Sequence, residues 1–387
     1  MNRTPKLLLF LLFNTMLALV LVVIALEPAV RLLQPEGPAK QEEEPLFPGD
    51  PDLQFAIRPN AETVLAREDF RITIRSNALG FRDEDRGPRG DAVRILALGD
   101  SVTFGWGVER EETFEMQMER MQSAAHERGE GVEIEVINTG VPGYNLYQSV
   151  LALGKKGWKV DPDIVLFGAF VQNDFSDNLG TAAWVERKKS GVLKVKDKSA
   201  LVEWLEAHSH AYVFLQTKYR SSYRLRRTWY KLTRPFKPET ERHRYRNVVV
   251  FREPVSEKMK REWRLSEELL LRLRDDVRAH GKRLLIALYP SEVQASRSRW
   301  RKAIANVEAE NVAFDIDKPN RRLRDFCRAH DIPFLDPLPA FRTAVEAGQA
   351  LYLPTDHHWN ADGHRLAAET ILADLRQRGW LTASGAK

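Results

Sequence analysis

Arg94-Ile-Leu-Ala-Leu-Gly-Asp-Ser101-Val-Thr-Phe-Gly-Trp-Gly107 is the stretch from which the rest of the chain can be read. Ile95 to Leu98 carry no charge and no alternation, as in a strand buried on both faces, and Gly99-Asp100 then break the run before a serine opens a helical segment. Similar apolar runs recur: Val93 to Leu98, Ile134 to Ile137, Ile164 to Phe170, Leu284 to Tyr289 and Ile332 to Leu335, with helical segments between them. Strands alternating with helices predict an α/β fold, a three-layer αβα (flavodoxin-like) arrangement around a mainly parallel five-stranded sheet. In such sheets ligands sit at the carboxyl ends of the strands. Ser101, Gly140 and Asn173 each fall just after a strand, so the architecture alone predicts that they share a site.

A serine hydroxyl is a poor nucleophile at neutral pH; it needs an imidazole to take its proton and a carboxylate to orient that imidazole. The C-terminal segment Asp356-His-His358-Trp-Asn-Ala-Asp-Gly-His364 offers both. Together with Gly99-Asp100-Ser101, Asn138-Thr-Gly140-Val-Pro-Gly143 and Val171-Gln-Asn173-Asp174, it forms a series of blocks that resembles the SGNH (GDSL-like) hydrolase superfamily, in order, over roughly residues 92 to 376. The resemblance implies Ser101 as nucleophile, His358 as its base and Asp356 as the orienting acid. It also implies an oxyanion hole made by the Ser101 and Gly140 backbone N–H groups and the Asn173 side-chain amide. Gly140 is expected to let the backbone approach the ligand without a Cβ in the way. Many members carry the acid three residues before the histidine, a position held here by Thr355; Asp356 lies two before, a spacing also found in alginate-type acetyltransferases. The usual glycine before the Asn-Asp pair is replaced by Val171-Gln172.

The neighbouring polar residues have plainer expected roles. Asp100 is expected to cap the helix that follows it or to brace the turn, and Asp174 likewise. His364 lies on a helix beginning near Ala361, where the resemblance implies a packing role. Asp336, after the last strand, is the reserve for orienting the imidazole. A metal reading with Asp356, His357, His358 and His364 as ligands suits zinc or iron, but leaves the Gly-Asp-Ser and Asn-Asp blocks unexplained. No metal and no cofactor is expected, since Gly99, Gly105 and Gly107 fail the dinucleotide spacing and no phosphate-binding loop stands out.

Leu7 to Leu26 is a run without charge, long enough for a helix to cross a bilayer, and Ile24-Ala-Leu-Glu27 offers no clear signal-peptidase site. Arg3 and Lys6 precede the run, while Glu27, Glu36 and Glu42 to Glu44 balance the cations after it. The expectation is a single-pass anchor over residues 1–30, with the N-terminus cytoplasmic and the rest extracytoplasmic, periplasmic or extracellular. A linker rich in Pro, Gly and Glu follows over residues 31–52, then a small β appendage over 53–90, in which Asp69 to Arg75 alternates as a strand and Asn77 to Gly80 turns. The hydrolase-like domain is placed at residues 91–380, with an insertion at about 178–255.

Within the insertion, Lys218 to Arg246 holds eleven Lys or Arg against two Glu, interleaved with Tyr219, Tyr223, Trp229, Tyr230, Phe236 and Tyr245. It reads as a solvated helix covering the domain with its aromatic side, as a grip on an anionic polymer, or as a contact for membrane headgroups. The net charge of +5 is mild over this length and does not imply a nucleic-acid partner. Cys327, the single cysteine, leaves the redox compartment undecided.

The function expected from these features is serine-dependent ester hydrolysis or acyl (acetyl) transfer on cell-surface or secreted glycan esters. A transferase would need a membrane protein to deliver its acyl group. Two other readings remain: a non-catalytic glycan-binding or assembly protein that keeps the fold, and a lipid-directed esterase.

Overall fold

The computed structural model describes residues 46–87, 90–189, 248–305 and 312–382, with scattered positions in 14–32 and 204–215. The chain divides into two compact units, Leu46–Val192 with Thr240–Lys387, and Met1–Pro45 with Leu193–Glu239. Nearly all of Leu7–Leu26 and all of Lys218–Arg246 lie outside the described residues. Among the described residues no helix is long and apolar enough to cross a membrane. In the unit containing Met1–Pro45, residues 25–32 are helical, and the Glu27 carboxylate accepts from Ser209 Oγ (2.8 Å) and the His210 and Ala211 N–H groups (both 2.9 Å).

The larger unit opens with two short hairpins, β1 (Gly49–Asp50) with β2 (Gln54–Phe55) and β3 (Glu62–Ala66) with β4 (Arg71–Arg75). The alternation in Arg71-Ile-Thr-Ile-Arg75 buries Ile72 and Ile74 and leaves the arginines in water. The main sheet follows: β5 (Val93–Gly99), β6 (Ile134–Asn138), β7 (Ile164–Phe170), β9 (Arg283–Tyr289) and β11 (Phe334–Leu335), ordered β11-β9-β7-β5-β6. Every pairing in it is parallel. Two short strands, β8 (Arg252–Glu253) and β10 (Ala313–Phe314), pair outside it.

The α/β expectation therefore holds. Alternate residues of the strands feed two cores. Leu96, Leu98, Val165, Phe167 and Ile286 face one core, closed by Trp263, Leu270 and Leu273 of helix Glu257–Ala279. Ile95, Ala97, Leu166, Leu285 and Ala287 face the other, closed by Phe114 and Met118 of helix Phe114–Glu127 and by Ala367, Ala368 and Ile371 of helix Ala361–Gln377. A third, smaller core joins Leu53, Ile57, Ile72 and Ile74 to Phe104 and Tyr144, tying the segment before β5 to the carboxyl end of the sheet.

Candidate active site

Ser101 is the first residue of the helix Ser101–Phe104, directly beyond β5. Asp100 caps that helix: its Oδ1 accepts the Val102 N–H at 2.9 Å. The Ser101 N–H is one of those that a helix start leaves without an intrahelical partner. The Ser101 hydroxyl meets His358 Nε2 at 2.8 Å, across 257 residues of sequence. His358 Nδ1–H donates in turn to Asp356 Oδ1, and the other carboxylate oxygen accepts Trp106 Nε1–H at 3.3 Å. Burial pushes the Asp356 carboxyl up, but the hydrogen bond and charge of His358 outweigh it and hold the group below its usual range. The His358 and Asp356 side chains are 25% and 27% exposed, so a substrate can reach them.

The loop that carries these groups folds back on itself. Leu353 N–H donates to His358 O at 2.8 Å and His357 N–H to Leu353 O at 3.2 Å. His357 adopts φ +69°, a left-handed conformation that non-glycine residues enter at some cost. That turn lets an acid only two residues before the histidine come round to Nδ1.

Gly140 and Asn173 lie beside the serine helix; the single N–H of Gly140 is engaged, and one of the two Asn173 Nδ2 hydrogens is. Gly140 N–H donates to Asn138 Oδ1 (3.0 Å), and Asn138 Nδ2 donates to Thr103 O (2.7 Å), so one side chain joins this loop to the serine helix. The expected reason for the glycine is corrected by the structure. A Cβ at residue 140 would lie 2.3 Å from Phe104 N and 2.6 Å from Thr103 C, so it is the serine helix that demands the glycine. Asn173 Nδ2 donates one hydrogen to Asp100 Oδ2 at 2.8 Å, leaving its second; its Oδ1 is buried without a partner. Asp174 accepts the Phe170 N–H and is fully enclosed. Burial and the nearby Asp100 push its carboxyl far up; burial pushes the Asp100 carboxyl up as well, against the Val102 and Asn173 hydrogen bonds that favour its charged form.

The remaining histidines take separate partners. His357 pairs with Glu292 at 2.9 Å. His364 accepts the Phe114 N–H at 3.2 Å and stacks on the Phe114 ring. Burial depresses its imidazole to about 3, which keeps it neutral. Among the described residues no cluster could hold a metal ion. Asp336 is occupied by Asn320, Arg324 and the Leu338 N–H.

Three residues that the sequence reading passed over complete the site. Arg82 is 1% exposed and donates to Phe104 O (2.7 Å), Gly105 O (2.6 Å) and Val108 O (2.7 Å), holding the carboxyl end of the serine helix. Burial lowers its guanidinium to about 10, still charged at neutral pH. Trp106 steadies Asp356, and Asp69 Oδ2 accepts the Thr355 and Asp356 N–H groups at 2.8 and 2.6 Å. Trp106 stands within the opening stretch; Arg82 and Asp69 carry no local sequence signal, because each is defined by a distant backbone.

Residues 251–387 match the family model described as the SGNH hydrolase-like domain of the acetyltransferase AlgX. That portion of the chain is similar to an SGNH hydrolase-like domain. The matched portion includes the Asp356 to His364 segment; the serine, glycine and asparagine blocks lie before it. No curated protein matches the sequence. Among solved structures, Axe2, an acetylxylan esterase from Geobacillus stearothermophilus, aligns at a TM-score of 0.40 and 14% identity, covering 74% of this chain and 95% of its own. The acetyl xylan esterase AlAXEase aligns at 0.40 and 12%, covering 73% and 98%. Overlaps this weak do not carry the function of either esterase across to this chain.

Proposed function

We propose that the protein is a serine-dependent SGNH-type ester hydrolase or acyl (acetyl) transferase that acts outside the cytoplasm on cell-surface or secreted glycan esters. The observation that carries this reading is the continuous hydrogen-bonded line from Ser101 through His358 to Asp356.

In that mechanism His358 Nε2 takes the Ser101 proton as Oγ attacks the acyl carbonyl. The ionised Asp356 holds Nδ1–H and steadies the imidazolium that forms. Negative charge develops on the carbonyl oxygen, toward which the Ser101 N–H and the second hydrogen of Asn173 Nδ2 contribute, joined by the Gly140 N–H once it turns from Asn138 Oδ1. Each such donor is worth about 10²–10³ in rate. His358 then returns its proton to the departing alcohol, leaving an ester on Ser101. A second nucleophile attacks this acyl-enzyme with His358 again as base: water completes hydrolysis, a sugar hydroxyl completes transfer.

The small acyl group is supported by the acetyltransferase domain that the matching family model describes. Anchoring through Leu7–Leu26 and an extracytoplasmic domain are supported by the length of that uncharged span and the cations before it. The transfer reading also calls for a membrane protein that delivers the acyl group.

The test is p-nitrophenyl acetate turnover by the full chain beside Ser101→Ala, with mass spectrometry for acetylated Ser101. A serine-dependent burst with an adduct is expected, and product partitioning between water and added glycan then separates hydrolase from transferase. Folded protein with neither turnover nor adduct would turn the reading down.

A further inference from the structure

We propose that Asp69, at the turn of the β3–β4 hairpin, is a positioning residue for the acyl chemistry: it fixes the backbone of the Asp356 turn so that an acid two residues before the histidine can reach its imidazole. This rests on the reading of Ser101, His358 and Asp356 as the reacting machinery.

A carboxylate two residues before a histidine meets Nδ1 only if the chain between them doubles back. Here it does so through His357 at φ +69°. Such a turn points consecutive N–H groups outward, and those of Thr355 and Asp356 both need an acceptor. A single oxygen, Asp69 Oδ2, takes both, at 2.8 and 2.6 Å. These are charge-assisted bonds to a half-buried carboxylate, and they aim at the residue whose side chain must be held still.

The hairpin is itself fastened to the serine side of the site. Thr73 N–H on β4 donates to both Glu109 carboxylate oxygens, at 3.0 and 3.1 Å. The Phe70 ring meets Trp106 edge-on at 5.9 Å, and Arg67 stands 5.7 Å over the same indole. Gly107 is glycine, with φ +94°, where a Cβ would meet Leu353 at 2.4 Å and Phe70 at 3.2 Å. The hairpin thus touches the segment after Ser101 and the segment before His358 together. Asp356 is constrained from three directions: its N–H by Asp69, Oδ2 by Trp106 and Oδ1 by His358. Such surrounding support sets how closely a catalytic geometry is maintained.

The hydrogen bonds need an acceptor oxygen at this position, which the charge only strengthens, so alanine and asparagine should part company. Asp69→Ala frees the turn; a misplacement of ~1 Å at the Asp356 carboxylate costs ~10² in kcat, with KM changed less than about twofold. Asp69→Asn presents an amide oxygen to the same N–H groups and should recover kcat to within about tenfold of the wild type. The far-downfield proton resonance of His358 Nδ1–H gives a second readout that needs no substrate: present in the wild type and Asp69→Asn, lost or broadened in Asp69→Ala. Full-length chains with matched circular dichroism are compared.

An Asp69→Ala protein that keeps kcat within twofold, or keeps the resonance while losing kcat, overturns the proposal. So does an Asp69→Asn protein as impaired as Asp69→Ala in both readouts. Failure of the esterase reading looks different: the wild type would lack serine-dependent turnover, while the resonance would still report whether Asp69 sets the turn.

Discussion

Gly140→Ala is a sharp test of the site, because its consequence is set by backbone and no rotamer change relieves it. The added Cβ would lie 2.3 Å from Phe104 N, 2.6 Å from Thr103 C and 2.9 Å from Phe104 Cα, about 1 Å inside ordinary contact at the closest point. Either the glycine loop or the serine helix must move. The loop is held by Thr139 N–H and Oγ–H on Ala97 O and by Val141 N–H on Gly99 O. The helix is held by Arg82, by Asn138 on Thr103 O and by the Asp100 cap. Overpacking of this kind costs about 1–3 kcal/mol of stability. A ~1 Å displacement of Ser101 relative to His358 costs ~10² in rate, equivalent to about 2.7 kcal/mol.

Gly143→Ala supplies the control. Its φ of +85° strains any side chain, yet a Cβ there meets nothing nearer than Phe55 at 3.7 Å. It should lose about 1–2 kcal/mol of stability with kcat unchanged, whereas Gly140→Ala should lose both. The assay is p-nitrophenyl acetate turnover beside urea unfolding. A Gly140→Ala protein with kcat within twofold of wild type and an unaltered unfolding midpoint would refute the argument that the glycine exists for the serine helix.

Trp106→Phe removes the N–H on Asp356 Oδ2; at 3.3 Å the bond belongs to the lower end of the ~1.5–3 kcal/mol range, so a loss of about tenfold in kcat is expected from steady-state kinetics. Arg82→Met strips three buried carbonyls of their donor and should cost at least about 3 kcal/mol, read as a drop in the urea midpoint; a drop under half that would mean water replaces the guanidinium. His364 is neutral when folded, with its imidazole at about 3 against 6.5 unfolded, so acid favours the unfolded chain. Relative to His364→Gln, the wild type should lose stability as pH falls from 6.5 toward 3, by about 1.4 kcal/mol per unit; parallel stability curves would contradict the burial argument.

Most of the architecture was legible from periodicity. The apolar runs at Val93, Ile134, Ile164, Leu284 and Ile332 become β5, β6, β7, β9 and the short β11, because strands buried on both faces leave an uninterrupted apolar record. The placing of Ser101 and His358 within hydrogen-bond reach was legible only through the ordered blocks, since nothing local links residues so far apart. The purpose of Gly140 was misread: a glycine that accommodates a ligand and one that accommodates a neighbouring helix look alike in sequence. Asp69 and Arg82 were illegible for a further reason. Each recognises main-chain N–H or C=O groups of a distant loop, and main chain has no letter in the sequence. The partner of the Asp69–Arg75 strand, Glu62–Ala66, escaped notice because its burial pattern leaves three of five residues in water.

The sequence separation of 257 between Ser101 and His358 also has a meaning in time. A chain grows from its N-terminus at roughly 5–20 residues per second, so the serine emerges some 10–50 s before the histidine that activates it. On the proposed function, the growing polypeptide lacks its base throughout that interval. On the same proposal, turnover begins only once the helix Ala361–Gln377 has folded and carried the imidazole to Ser101. A chain that stalls short of residue 358 lacks the imidazole on which the proposed reaction depends.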